Sequence, residues 1–215
     1  MLYSVSHRFI FVRYGKAGSQ SIRAVLRRYQ PFYRKNRYVE YALRKTAGFW
    51  PEKFRIVPVH ANAQFIREKI GHEVFDSFFT FGFIRNPWDY AVSQYFYILR
   101  RKDHPSHNEV SQFKTFDEFI EWHVVNQKRS MKDFHSDENG NIIVDFIGKF
   151  ENLNEDFEYV TQKIGLKGLT LPHLNKTNHR DFRTYYTDYS AELIAKHYKE
   201  DIAFFGYQFE EGATP

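Results

Sequence analysis

Lys16 stands in the run Gly15-Lys16-Ala17-Gly18-Ser19-Gln20-Ser21, between a short apolar stretch and the opening of an amphipathic one. Small residues let backbone N–H groups come close to an oxyanion, a helix N-terminus adds partial positive charge, and the lysine adds a full one. A second stretch, Phe79 to Tyr95 (FTFGFIRNPWDYAVSQY), passes from an apolar segment through Arg85-Asn86-Pro87 into a helical pattern carrying Ser93. Two strand-to-helix turns, each with a cation and hydroxyls, suit a ligand with two separate phosphate groups.

The first turn differs from a Walker A loop, which needs Gly, four residues, then Gly-Lys-Ser/Thr, with the lysine at the helix start and the hydroxyl on magnesium. Here the lysine precedes the turn, where it can reach a bridging oxygen of a phosphoanhydride. No second Gly-Lys-Ser follows, and no strand ends in a clear magnesium-binding aspartate. On its own a Lys-Gly-Ser turn is a weak signal, and the second turn is what gives it weight.

The elements that must position these residues read as one α/β unit. Apolar spacing predicts strands at Arg8–Arg13, Phe54–Val59, Ser77–Ile84 and Ile142–Lys149. Helices are predicted at Ser19–Tyr29, Val39–Lys45, Ala63–Ile70, Pro87–Arg101, Phe116–Gln127, Leu153–Ile164 and Ala191–Ala203. Asp103–Gln112 reads as a polar loop and Ser136–Asn141 as a turn. The segment Ser77–Ile84 is almost uninterrupted apolar, as a parallel strand buried on both faces should be, and Pro87 suits a first helical turn. Strands alternating with helices imply βαβ crossovers, a parallel sheet and a ligand at the carboxyl ends of the strands. With 215 residues and 25.9 kDa, the chain suits one domain over 1–215 that buries roughly 70% of its unfolded surface.

Lys16-Ala17-Gly18-Ser19-Gln20-Ser21, together with Arg85-Asn86-Pro87-Trp88 and Ser93, resembles the paired phosphate motifs of the PAPS-dependent sulfotransferases. The likeness is to the carbohydrate type, similar to heparan 2-O-sulfotransferases and their bacterial relatives. Phe146 to Leu153 and Asp201 to Tyr207 are also similar to family segments, so the likeness spans nearly the whole chain. Gly15 departs from the pattern, since members often carry proline there. The resemblance implies a P-loop-kinase-like fold, a central parallel sheet flanked by helices, with PAPS as co-substrate and no metal. It makes Lys16 to Ser21 the 5′-phosphosulfate loop, and Arg85 with Ser93 the 3′-phosphate site. It also makes the late loop Leu171–Arg180 a cover in which Lys176 or Arg180 touches PAPS, against the alternative of a solvated surface loop.

Sulfuryl transfer to a hydroxyl needs an in-line acceptor, a base for its proton, and cations where charge builds on the leaving phosphate. By analogy with phosphoryl transfer, positioning and electrostatics carry most of it. The sulfuryl group bears less charge than a phosphoryl group, so Lys16 can stand where magnesium otherwise would. Arg85 offers paired N–H donors in a fork that a lysine lacks. For the base, the resembling enzymes use a histidine at a strand end, and His60, after Phe54–Val59, matches it. Glu151 is a second candidate that reads better as a helix-start carboxylate. His173 and His179 lack a third ligand at metal-site spacing.

The 31 basic and 26 acidic residues leave a net charge of +5, concentrated between Arg23 and Arg55. That excess could steer an anionic polysaccharide or glycolipid acceptor, although a solvated helix face has the same composition. The absence of cysteine excludes disulfides and thiolate metal sites. With the first strand so close to Met1 and no transmembrane stretch, the reading is of a cytoplasmic, bacterial enzyme. Two other classes stay open: a P-loop-type nucleotide-dependent phosphotransferase, and a non-catalytic nucleotide- or nucleic-acid-binding module.

Overall fold

The computed structural model describes residues 1–30, 57–172 and 180–210. In chain order, β1 (Leu2–Ser4), β2 (Phe9–Val12) and α1 (Ser19–Leu26) are followed by α2 (Ala63–Ile70), α3 (His72–Asp76) and β3 (Phe79–Ile84). Next come α4 (Pro87–Arg100), α5 (Phe116–Asn126), β4 (Phe146–Lys149) and α6 (Leu153–Lys163), then α7 (Asp188–His197) and α8 (Lys199–Phe205). Single helical turns lie at His107–Val110 and Met131–Phe134. The chain divides into two compact units, one made of residues 1–84 and 133–174, the other of 85–132 and 175–215.

The first unit holds a four-stranded sheet in the order β1-β2-β3-β4. β2, β3 and β4 run parallel, with Val12 opposite Gly82 and Ile84 opposite Lys149. β1 pairs antiparallel with β2 at the edge, an addition to the parallel sheet expected. Alternation along β2 and β3 puts Phe9, Phe11, Phe81 and Phe83 on one face, all essentially inaccessible. Phe11 and Phe81 stack at 5.0 Å; burial of each such ring is worth about 2–3 kcal/mol. α1 adds Ile22 and Leu26 to the core, α2 adds Ala63, Ile66 and Ile70, and α6 adds Phe157 and Val160. Gly82 is required by close approach, because a Cβ there would lie 2.0 Å from His135 Nε2.

Several boundaries differ from expectation. The described part of the expected strand Phe54–Val59 is not strand: Val57 and Pro58 are irregular, and Val59 and His60 form a turn. Residues 54–56 and the expected helix Val39–Lys45 lie outside the described residues. The strand expected from Ile142 begins at Phe146, Ile142 forming only an isolated antiparallel bridge with Ser136.

The second unit is helical. The single helix expected at Ala191–Ala203 is two, α7 and α8, joined at Tyr198. α7 packs on α5, and His123 of α5 is buried with Nε2 2.9 Å from the Tyr198 hydroxyl. Asp201, also buried, accepts from Ser130 Oγ and from the backbone N–H groups of Met131 and Lys132, each at 2.8 Å. A carboxylate thus tethers the chain ahead of the Met131 turn to α8.

Burial, and secondarily the charge of His197, pushes His123 down to about 3. An unfolded histidine takes up a proton below about pH 6.5, whereas the folded one stays neutral, so stability present at neutral pH is lost as pH falls. The expected result is an unfolding free energy that drops by up to about 1.4 kcal/mol per pH unit from this group between pH 6 and 4. Urea midpoints across that range should show it, and His123→Gln should flatten the slope.

Candidate active site

β2 ends at Val12, and the chain turns into α1 through Lys16 and Gly18. Both backbones are left-handed, with φ 63° at Lys16 and φ 71° at Gly18. Gly18 is the N-cap of α1 and tolerates that conformation; a Cβ there would also lie 2.8 Å from Leu153 Cδ1. Lys16 pays for it with strain of about 1–2 kcal/mol. The cap contributes no side-chain hydrogen bond, and the first turn of α1 holds no acidic residue. α2, α4 and α5 are different: Asn62, Asn86 and Thr115 each accept a backbone N–H at the helix start. Around this uncapped N-terminus, Ala17, Ser19 and Ser21 are buried, Lys16 is half-buried and Gln20 is exposed. A lysine beside an uncapped helix N-terminus is an arrangement that suits an anion.

His60 reaches the same loop from an exposed turn rather than a strand end. Its Nδ1 lies 3.2 Å from the Arg13 carbonyl oxygen. A carbonyl only accepts, so Nδ1 carries a proton, and when the ring is neutral its lone pair is on Nε2. The side chain of the same Arg13 is buried at 4% exposure. Glu151 follows β4 in a 3₁₀ turn, Phe150–Asn152, that leads into α6.

In the second unit, Arg85 follows β3 directly and precedes α4. It is buried, its Nε donates to Asp89 Oδ2 at 2.7 Å, and its Nη2 forms an ion pair with the same oxygen at 2.7 Å. Ser93, two turns into α4, is buried as well. The start of α4 is held by polar contacts from distant sequence. Asn86 accepts from Trp88 N and donates to the Gln208 carbonyl, Trp88 Nε1 donates to Ala191 O, and the Tyr186 hydroxyl donates to Trp88 O. Burial, then the charge of Asp89, raises the Tyr186 phenol well above its usual range.

Arg180 is exposed, its backbone N–H donating to the Tyr185 hydroxyl at 3.2 Å; Lys176 lies outside the described residues. Of the basic run, Arg23, Arg27 and Arg28 are exposed, and 31–56 lie outside the described residues. Two residues went unmarked in the sequence. Asp89 could have been found from its i,i+4 spacing to Arg85, and Arg13 from being a cation at the end of a strand that is otherwise fully buried. Among the described residues no helix is long and apolar enough to cross a membrane.

Comparison with known proteins gives three findings. The model of the "Sulfotransferase family" matches residues 1–208. An uncharacterized protein of Archaeoglobus fulgidus is 35% identical over 105 residues, which is 48% of this chain and 82% of that protein. The crystal structure of mouse sulfotransferase SULT7A1 complexed with PAP shares the fold at a TM-score of 0.55 and 14% identity, covering 94% of this chain and 86% of that one.

Proposed function

The chain belongs to the sulfotransferase family, and from that premise we propose that it moves a sulfuryl group from PAPS to a hydroxyl on a carbohydrate or glycolipid. The observation that carries this reading is the left-handed Lys16 at the uncapped N-terminus of α1. PAPS carries a 5′-phosphosulfate and a 3′-phosphate, one for each of the two motifs. Lys16 takes the bridging oxygen and the 5′-phosphate, with the N–H groups of Gly18 to Ser21 and the Ser19 and Ser21 hydroxyls around the same group. Arg85, oriented by Asp89, takes the 3′-phosphate together with Ser93. Lys176 or Arg180 closes over the nucleotide.

In the reaction the acceptor oxygen attacks sulfur in line as the bond from sulfur to the bridging oxygen breaks. The acceptor proton passes to His60 Nε2, and the electron pair stays on the 5′-phosphate of PAP, where the Lys16 ammonium offsets it. No metal takes part in this scheme. Residues 1–215 act as one sulfotransferase domain, and the lack of cysteine suits a reducing, cytoplasmic setting. The exposed arginines of the basic run favour an acidic acceptor.

Labelled PAPS offered to a panel of hydroxyl-bearing oligosaccharides and glycolipids tests the reading. Wild-type protein should transfer label to at least one of them. His60→Ala should lower the transfer rate by about 100- to 10,000-fold while its PAP-induced rise in melting temperature stays that of wild type. A variant that loses PAP binding instead would show His60 to be structural.

A further inference from the structure

Arg13 is a buried cation, at 4% exposure. Its Nε is buried with no hydrogen-bond partner. Arg13 is in none of the ion pairs Arg67–Asp76, Arg85–Asp89, Arg101–Asp103 and Asp181–Arg183. Burial, and then the nearby charge of Arg23 in α1, lowers Arg13 to about 10. A cation taken out of water beside another cation is strongly unfavourable unless an anion joins it.

We infer that Arg13 is part of the donor site and that its guanidinium pairs with the sulfuryl oxygens of bound PAPS. This rests on the donor proposed above. The placement comes from two neighbours. Arg13 is three residues ahead of Lys16, the group assigned to the bridging oxygen. Its carbonyl accepts from His60 Nδ1, so one residue holds both the base and a buried cation. Between a base acting on the acceptor and a lysine acting on the leaving phosphate lies the group in transfer, the sulfuryl. Its oxygens suit a planar fork of N–H donors, and a ligand supplies there the negative charge that no described side chain does.

Arg13→Met tests this, because it keeps the length of the side chain and removes the charge. Three quantities are read: the melting temperature without ligand, and the dissociation constants of PAP and of PAPS measured without acceptor. The ligand-free variant should be as stable as wild type or more so, since a buried charge is gone. Its affinity for PAPS relative to PAP should fall by about 10- to 100-fold, with PAP itself little changed. Arg13→Lys, which keeps the charge but loses the fork, should fall between the two and reads the same ratio if Arg13→Met does not fold.

A ligand-free variant of lowered stability with an unchanged PAPS-to-PAP ratio would overturn the inference in favour of a structural role. So would unchanged binding of both nucleotides with weakened binding of a sulfated uronic-acid oligosaccharide, which would assign the anion to the acceptor. Wild-type protein that bound neither nucleotide would overturn the donor reading itself, a failure visible before any Arg13 variant is made.

Discussion

Lys16→Ala is expected to lower kcat/KM for sulfuryl transfer by about 100- to 1,000-fold, the usual cost of removing one group aimed at a developing oxyanion. The loss should fall mainly on kcat, because charge on the leaving phosphate grows towards the transition state. Stability supplies an independent reading. The left-handed backbone at Lys16 is strained for any residue with a Cβ. Lys16→Gly removes that strain, so it should match or exceed wild-type thermal stability while being as inactive as Lys16→Ala. Calorimetry beside a transfer assay checks both. A Lys16→Ala protein keeping more than a tenth of wild-type turnover would remove the lysine from the chemistry.

The second large effect is expected at Arg85. Arg85→Met leaves Asp89 buried, at 8% side-chain exposure, with its partner gone. Breaking a buried pair by removing one member costs about 3–5 kcal/mol, measurable as a shifted urea midpoint. Adding Asp89→Asn removes the stranded charge and should restore most of that stability. PAP affinity should not return with it, since the fork assigned to the 3′-phosphate is still missing. Comparing PAP with adenosine 5′-phosphate isolates that phosphate: wild type should prefer PAP strongly, and the double variant should lose most of that preference. A double variant that regained the PAP preference would show that Arg85 serves the fold alone.

The elements written in local pattern were the ones the sequence revealed. β3 could be read because an uninterrupted apolar run has few other places to go than the centre of a parallel sheet. α4 could be read because Pro87 suits a first helical turn. α2 was read to the residue, between the Asn62 cap and Gly71. The illegible parts depend on partners far along the chain. β1 is three residues long and exists because it pairs with β2. The start of α7 was placed three residues late because its capping box, Thr187 with Ser190, uses serine where glutamate is the familiar signal. The junction at Tyr198 is set in part by the meeting of its buried hydroxyl with His123.

The candidate site divides in the same way. Lys16, Gly18 and Arg85 were visible as turn chemistry at strand ends. His60 was singled out for a strand end that the described residues do not form, and what ties it to the Lys16 loop is a hydrogen bond to a residue 47 positions away. Arg13 and Asp89 became meaningful only when burial and pairing were known, because an arginine in a sequence does not say whether water or a carboxylate surrounds it.

The central claim, that this sulfotransferase-family chain takes PAPS as its donor, is tested most directly by comparing two ligands on the wild-type protein. PAP at saturating concentration should raise the melting temperature by several degrees, as a ligand bound only by the folded state must, and ATP with magnesium should raise it far less. Equal shifts, or a larger one with ATP and magnesium, would contradict the account.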